Sequence, residues 1–302
     1  MLIVPSKVSR NSNDLEVPIL YDIEDNPIGI YEKALPASLS WDDRLSAARD
    51  AGYRFLEISV DETNARIGRL QWSKVEKGEL LRSMFRQDMP ILSMCLSGNR
   101  RYPIGSETWE TRLAGVKLIK DAIDFALDLG IRIIQLAGYD EYANPSTDAT
   151  TDNFLVSLEE CVRYAEKRAV MLAMETMENE LMTSVQKAKR YVDALRSPWF
   201  KIYPDVGNLT ASGQNVESDF RTGRDDVVAI HVKDTLTGVF RDIPFGEGNV
   251  DFVSFFRFLI RERYSGIFVV EMWADQTKDS IQQIKRAREF LADKMKQAAD
   301  SP

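Results

Sequence analysis

Eight times along this chain a short apolar run rich in β-branched residues is followed by a stretch with helical periodicity. That beat constrains the fold more than any other feature. The apolar runs cover 28–31, 55–60, 91–96, 131–137, 170–175, 200–203, 227–232 and 267–271. The helical stretches begin with one from Trp41, capped by Ser40 and stopped at Gly52, and continue over 74–87, 108–129, 152–168, 184–195, 219–223, 252–262 and 278–295. Strands that are apolar throughout suit a parallel sheet covered on both faces. Eight β-α units in 302 residues predict an α/β chain of the (β/α)8, TIM-barrel type. A doubly wound open sheet shares the alternation, because strand order alone does not reveal closure. No Gly/Ser linker divides the chain. Residues 28–302 therefore read as one barrel domain, and the polar segment 1–27 as an N-terminal arm, strapped to the barrel or disordered.

Composition narrows the function. Asp and Glu total 47 against 39 Lys and Arg, a net charge of −8 with no basic block, which argues against a nucleic-acid partner. No apolar run approaches the roughly 18 residues of a membrane helix, and the apolar part of 1–7 is too short for a signal-peptide core. Cys95 and Cys161 lie in apolar or helical surroundings, as reduced thiols do, so a cytoplasmic protein is expected. The only histidine is His231. Any metal site must therefore be rich in carboxylates, and a barrel-type DNA-repair nuclease with its multi-zinc site is disfavoured.

The last four apolar runs end in Glu175, Asp205, His231 and Glu271. In a barrel of parallel strands these ends meet at the C-terminal mouth, where active sites lie. Three carboxylates and one imidazole suit one divalent ion, Zn2+, Mn2+ or Mg2+. Such an ion, chelating a carbonyl and the adjacent hydroxyl, acidifies the C–H between them by stabilising an enediolate. Glu175 and Glu271, from the fifth and eighth strands, then serve as general base and general acid on opposite faces of that carbon. Asp205 and His231 mainly hold the ion.

Other polar residues are candidates for contacts to an anionic, hydroxyl-bearing ligand. Arg100 and Arg101 directly follow the third strand, as anion contacts or as a solvated loop, and Lys233 lies two residues beyond His231 on the same strand face. Glu57 and Asn208 are candidates for sugar hydroxyls, with a pairing to a barrel cation as the alternative for Glu57. Gly246-Glu247-Gly248 is either a phosphate cradle or a plain turn. Trp273 is either an apolar pocket wall or packing beneath the rim.

From about Pro27 to the last helix, the sequence resembles the xylose-isomerase-like barrels, and within them the L-ribulose-5-phosphate (L-xylulose-5-phosphate) 3-epimerases of pentose and ascorbate catabolism. The resemblance is carried by the segments at 29–36, 59–63, 93–97, 100–106, 135–140, 203–209, 231–235, 244–248 and 270–273, among them Tyr203-Pro204-Asp205-Val206-Gly207-Asn208, His231-Val232-Lys233-Asp234 and Val270-Glu271-Met272-Trp273. It implies one divalent metal on Glu175, Asp205, His231 and Glu271, with the two glutamates exchanging the C3 proton of a ketopentose 5-phosphate. Asn99 departs from the histidine of some relatives, and the N-terminal arm is longer. The same constellation also suits an epimerase or isomerase of another ketose or hexulose phosphate, an inosose-type dehydratase, or a sugar-phosphate sensor without turnover. A homodimer paired through helices is an option that no apolar stripe decides.

Overall fold

The computed structural model describes residues 22–274 and 279–300. Most of the N-terminal arm and the start of the last helix at Lys278 lie outside the described residues. Eight parallel strands form the barrel: β1 (Ile28–Tyr31), β2 (Phe55–Val60), β3 (Ile91–Leu96), β4 (Ile133–Ala137), β5 (Met171–Glu175), β6 (Phe200–Tyr203), β7 (Ala229–Val232) and β10 (Ile267–Val270). They run in the order β6-β5-β4-β3-β2-β1-β10-β7. The ring closes between β6 and β7 through the parallel bridges Ile202–Val227 and Asp205–His231. A regular ladder cannot continue there because Pro204 has no N–H. Its carbonyl instead accepts the His231 N–H at 3.0 Å.

The helices are α1 (Trp41–Asp50), α2 (Asn64–Ile67), α3 (Lys74–Gln87), α4 (Trp109–Leu129), α5 (Asp148–Glu166), α6 (Val185–Leu195), α7 (Val206–Ala211), α8 (Val216–Gly223), α9 (Phe252–Arg261) and α10 (Ser280–Ala299). Helix α5 starts four residues before the expected Asp152, because Thr147 and Thr150 form a reciprocal capping box. The span 233–251, between the seventh apolar run and its helix, contains an antiparallel hairpin of β8 (Asp234–Leu236) and β9 (Val239–Ile243). Gly238 turns it with φ of 74°. No helix among the described residues is long and apolar enough to cross a membrane.

Strand alternation sorts the core into two layers. Outward residues such as Leu56, Ile58, Met94, Ile134, Leu172, Ile202 and Ile230 are fully buried under the helices. Inward residues Tyr31, Phe55, Cys95, Ala173, Tyr203, Ala229 and Val269 fill the barrel. Gly29 faces Phe55 across β1 and β2, and a Cβ there would meet the ring at 2.3 Å. Only glycine leaves room for that aromatic plug. Above the plug the interior turns polar, with Glu57, Ser59, Ser93, Gln135, Glu175 and His231 all buried. Beneath the barrel, Ile23 is buried and Asn26 Nδ2 donates to the carbonyls of Tyr264 and Gly266, so the end of the arm is tied down.

Candidate metal centre and active site

Strand ends deliver the four expected ligands to one point. Glu175 closes β5, Asp205 follows β6 after Pro204, His231 lies in β7 and Glu271 follows β10. All four are buried, and one donor atom from each lies within 4.8 Å of the others. His231 Nδ1 is 2.7 Å from Glu175 Oε1, 3.9 Å from Asp205 Oδ2 and 4.0 Å from Glu271 Oε1. The local chain sets each pose. Asp205 caps α7, with Oδ1 accepting the Asn208 N–H at 2.8 Å, which leaves Oδ2 facing the cluster. Gln135 Nε2 donates to Glu175 Oε2 and fixes that carboxylate from the side.

Glu57 sits one layer below and has no face open to a substrate. Its Oε1 lies 2.7 Å from His231 Nε2, and its Oε2 accepts the Tyr203 hydroxyl at 2.8 Å. The expected sugar contact is thus replaced by a bond to the imidazole. A carboxylate on Nε2 requires a proton there, which turns Nδ1 toward the other three ligands.

The site holds an excess of buried negative charge. Glu57, Glu175, Asp205 and Glu271 are touched by only two cationic groups among the described residues, His231 and Lys233. Burial, with Glu271 and Glu175 nearby, pushes Asp205 up to about 7 against the pull of Lys233. Burial likewise raises Glu175. For Glu271 burial acts upward too, but the Lys233 ammonium at 2.7 Å and His231 outweigh it and hold the carboxyl down at about 2. Burial alone would depress His231, yet the Glu57, Glu175 and Glu271 carboxylates hold it well above its usual range. Asp205 Oδ2 is buried, and its partner is the Lys233 ammonium at 2.9 Å. Three carboxylates and a fixed imidazole nitrogen clustered in this way fit a divalent ion of the Mn2+, Mg2+ or Zn2+ type.

A cleft opens above this cluster, lined among others by Tyr31, Lys33, Arg100, Glu175, Asn208, Lys233, Phe240, Arg241, Glu271 and Trp273. The structure separates the adjacent arginines. Arg100 lines the cleft, whereas Arg101 is exposed and donates to Asn64 Oδ1 at 2.6 Å. Lys233 reaches the cleft, but its ammonium is held between Asp205 Oδ2 at 2.9 Å and Glu271 Oε2. Asn208 lines the cleft while its Nδ2 donates to the Thr176 carbonyl at 2.8 Å. The Gly246-Glu247-Gly248 cradle is already filled. The Gly246 and Gly248 N–H groups donate to Asp234 Oδ2 at 2.9 and 3.0 Å, so no phosphate sits there. Trp273 stands in the cleft wall, edge-on to Tyr31.

Residues 45–294 match the family of xylose isomerase-like TIM barrels. The L-ribulose-5-phosphate 3-epimerase UlaE of Escherichia coli (strain K12) is 43% identical over 272 residues, covering 90% of this chain and 96% of the relative. The UlaE protein of Salmonella choleraesuis (strain SC-B67) is 44% identical over the same coverage. The chain belongs to the L-ribulose-5-phosphate 3-epimerase family. Solved structures share the epimerase barrel at lower identity. An L-ribulose 3-epimerase superposes with a TM-score of 0.73 at 18% identity, covering 91% of this chain and 96% of that one. A D-psicose 3-epimerase gives 0.74 at 15%, covering 90% and 99%.

Within this epimerase family member, sequence reasoning missed Phe240 and Arg241, which β9 carries into the cleft. A signal was present in Leu236-Thr237-Gly238-Val239, a glycine turn between short β-prone runs.

Proposed function

We propose that the protein is a metal-dependent 3-epimerase that interconverts L-ribulose 5-phosphate and L-xylulose 5-phosphate. The observation that carries this reading is the convergence of Glu175, Asp205, His231 and Glu271 at the barrel mouth. The relatives that bear the epimerase name are 43–44% identical over 272 residues. Those four residues would hold a divalent ion, which would supply the Lewis acidity that lowers the pKa of a C–H between a carbonyl and a hydroxyl. Glu175 and Glu271 rise from β5 and β10, three strands apart around the ring. Inversion at C3 needs a proton removed on one face and returned on the other, and two carboxylates from different walls meet that need. Because both are carboxylates, they exchange roles when the reaction reverses. Glu57 keeps His231 oriented from below. Trp273, Tyr31 and Phe240 wall the cleft and exclude water from the reacting carbon.

The test follows L-xylulose 5-phosphate by NMR in D2O with metal-loaded protein, with chelated protein and with Glu271→Gln. The reading expects deuterium at C3 and appearance of L-ribulose 5-phosphate, lost on chelation and in the variant. Deuterium at C1 with an aldose product would make the protein an isomerase. Absence of exchange on any ketose phosphate would refute the reading in favour of a dehydratase or a sensor.

A further inference from the structure

Each of the four strand-end residues has a supporting group of its own. Asp205 accepts the Asn208 N–H at 2.8 Å, His231 is met from below by Glu57 at 2.7 Å, and Glu271 accepts from the Lys233 ammonium at 2.7 Å. For Glu175 the supporting group is Gln135, whose Nε2 donates to Oε2. The other oxygen, Oε1, lies 2.7 Å from His231 Nδ1. Gln135 belongs to the layer beneath. It pairs with Cys95 of β3 and Ala173 of β5, while Glu175 pairs with Ala137 one layer higher. The small methyl group of Ala173 leaves the amide room to rise to that level.

Packing does not explain a glutamine here. Its side chain is fully buried, and Oε1 has no hydrogen-bond partner among the described residues. An orphaned buried carbonyl destabilises a fold, so an apolar side chain of the same length would suit a merely structural position better. The one hydrogen bond of the amide goes to a residue that lines the cleft. A glutamate turns readily about its last torsion, and a misplacement of about 1 Å can slow a reaction roughly 100-fold. We propose that Gln135 is the positioning residue for Glu175, fixing its carboxylate for ion binding and for proton transfer on the β5 side of the substrate. This rests on the epimerase reading and deepens it. The amide occupies one lone pair of Oε2, stops the carboxylate from turning, and touches no substrate itself. Glu271 is held separately by Lys233, so only one of the two proton transfers depends on Gln135.

The test compares wild type with Gln135→Met, which keeps the length and loses the donor, and Gln135→Asn, which keeps the amide and loses the reach. Calorimetric titration with Mn2+ should show about 10- to 100-fold weaker binding in both variants. Deuterium at C3 is then followed in D2O with saturating Mn2+, by NMR of samples quenched with EDTA. L-xylulose 5-phosphate and L-ribulose 5-phosphate serve as substrates in separate runs. Epimerisation needs both glutamates, so both directions should slow by about 10- to 100-fold. Exchange that returns a proton to the same face needs only one glutamate. It should persist for the epimer whose C3–H faces Glu271 and fall with turnover for the other. A packing role instead predicts wild-type behaviour in Gln135→Met, because the volume is conserved, and damage in Gln135→Asn. Wild-type Mn2+ affinity in Gln135→Met, or equal loss of exchange from both epimers, would overturn the proposal. Absence of C3 exchange in wild type would refute the epimerase reading, and the Mn2+ titration, which needs no turnover, would still decide whether Gln135 holds Glu175.

Discussion

Replacing Glu57 should weaken metal binding at the proposed site without touching any of its four candidate ligands. Glu57 is fully buried, and each of its oxygens has one partner: His231 Nε2 at 2.7 Å and the Tyr203 hydroxyl at 2.8 Å. In Glu57→Gln the amide oxygen still accepts from Nε2, so the imidazole keeps its tautomer. The amide nitrogen donates to the Tyr203 oxygen, whose own proton turns to Ser93 Oγ, a neighbouring buried atom with no partner. What is lost is the negative charge behind the imidazole, and with it basicity at Nδ1. That places the loss near the lower end of the roughly 10- to 100-fold range for groups behind a metal ligand. Glu57→Leu removes both acceptors; the Tyr203 hydroxyl turns to Ser93 Oγ, but the His231 Nε2–H is stranded, at a cost of about 1–3 kcal/mol of stability. Its metal affinity should fall toward the upper end, about 100-fold or ~2.7 kcal/mol. Competition against a chromophoric chelator measures the affinities, and denaturant midpoints of the metal-free proteins measure stability. Wild-type affinity in Glu57→Leu, or tighter binding by Leu than by Gln, would refute the argument that Glu57 acts through His231.

Other parts of the fold make equally direct predictions. Glu32 is buried among Arg44, Arg66 and Arg69 at 2.6–2.9 Å. Burial alone would raise its pKa, but the guanidinium groups and the Ser59 N–H hold it below the ordinary 4.5. Its contribution is therefore complete above pH 4.5 and is lost as pH falls through the depressed folded-state value. Glu32→Gln should cost about 3–5 kcal/mol at pH 7, and the gap to wild type in urea midpoints should narrow below pH 4.5. Gly29→Ala drives a methyl group into the Phe55 ring and should destabilise by about 1–3 kcal/mol or more, with partial rescue by Phe55→Leu in a double-mutant cycle. Asp234 accepts the N–H groups of Thr235, Gly246, Gly248 and Val250. Asp234→Ala should speed amide hydrogen exchange across 244–250 and lower kcat/KM, while the barrel strands keep their protection.

The barrel and the meeting of its four strand-end residues were legible in the chain because they depend on short-range rules. Alternation along each strand sends Tyr203 and His231 inward and Ile202 and Ile230 outward, whatever their distant neighbours are. A parallel barrel then brings every strand end to one mouth, so Glu175, Asp205, His231 and Glu271 meet from strand order alone. The contacts those residues make were decided elsewhere. Whether Glu57 meets a sugar or an imidazole depends on β2 and β7, three strands apart around the ring, turning their side chains together in its interior, a relation no local pattern records. Arg100 and Arg101 are alike in the sequence, yet a single 3-10 turn at Gly98–Arg100 sends one into the cleft and the other to Asn64. Gly246-Glu247-Gly248 has the form of an anion cradle and is one, but its anion is the chain's own Asp234, held twelve or more residues away by the hairpin. The sequence by itself determined which side chains point inward and where they are delivered. Only the tertiary structure decided which of them are neutralised by one another and which, like Arg100, meet aromatic rings and no carboxylate among the described residues, because buried charges pair through space with whatever the closed ring sets against them.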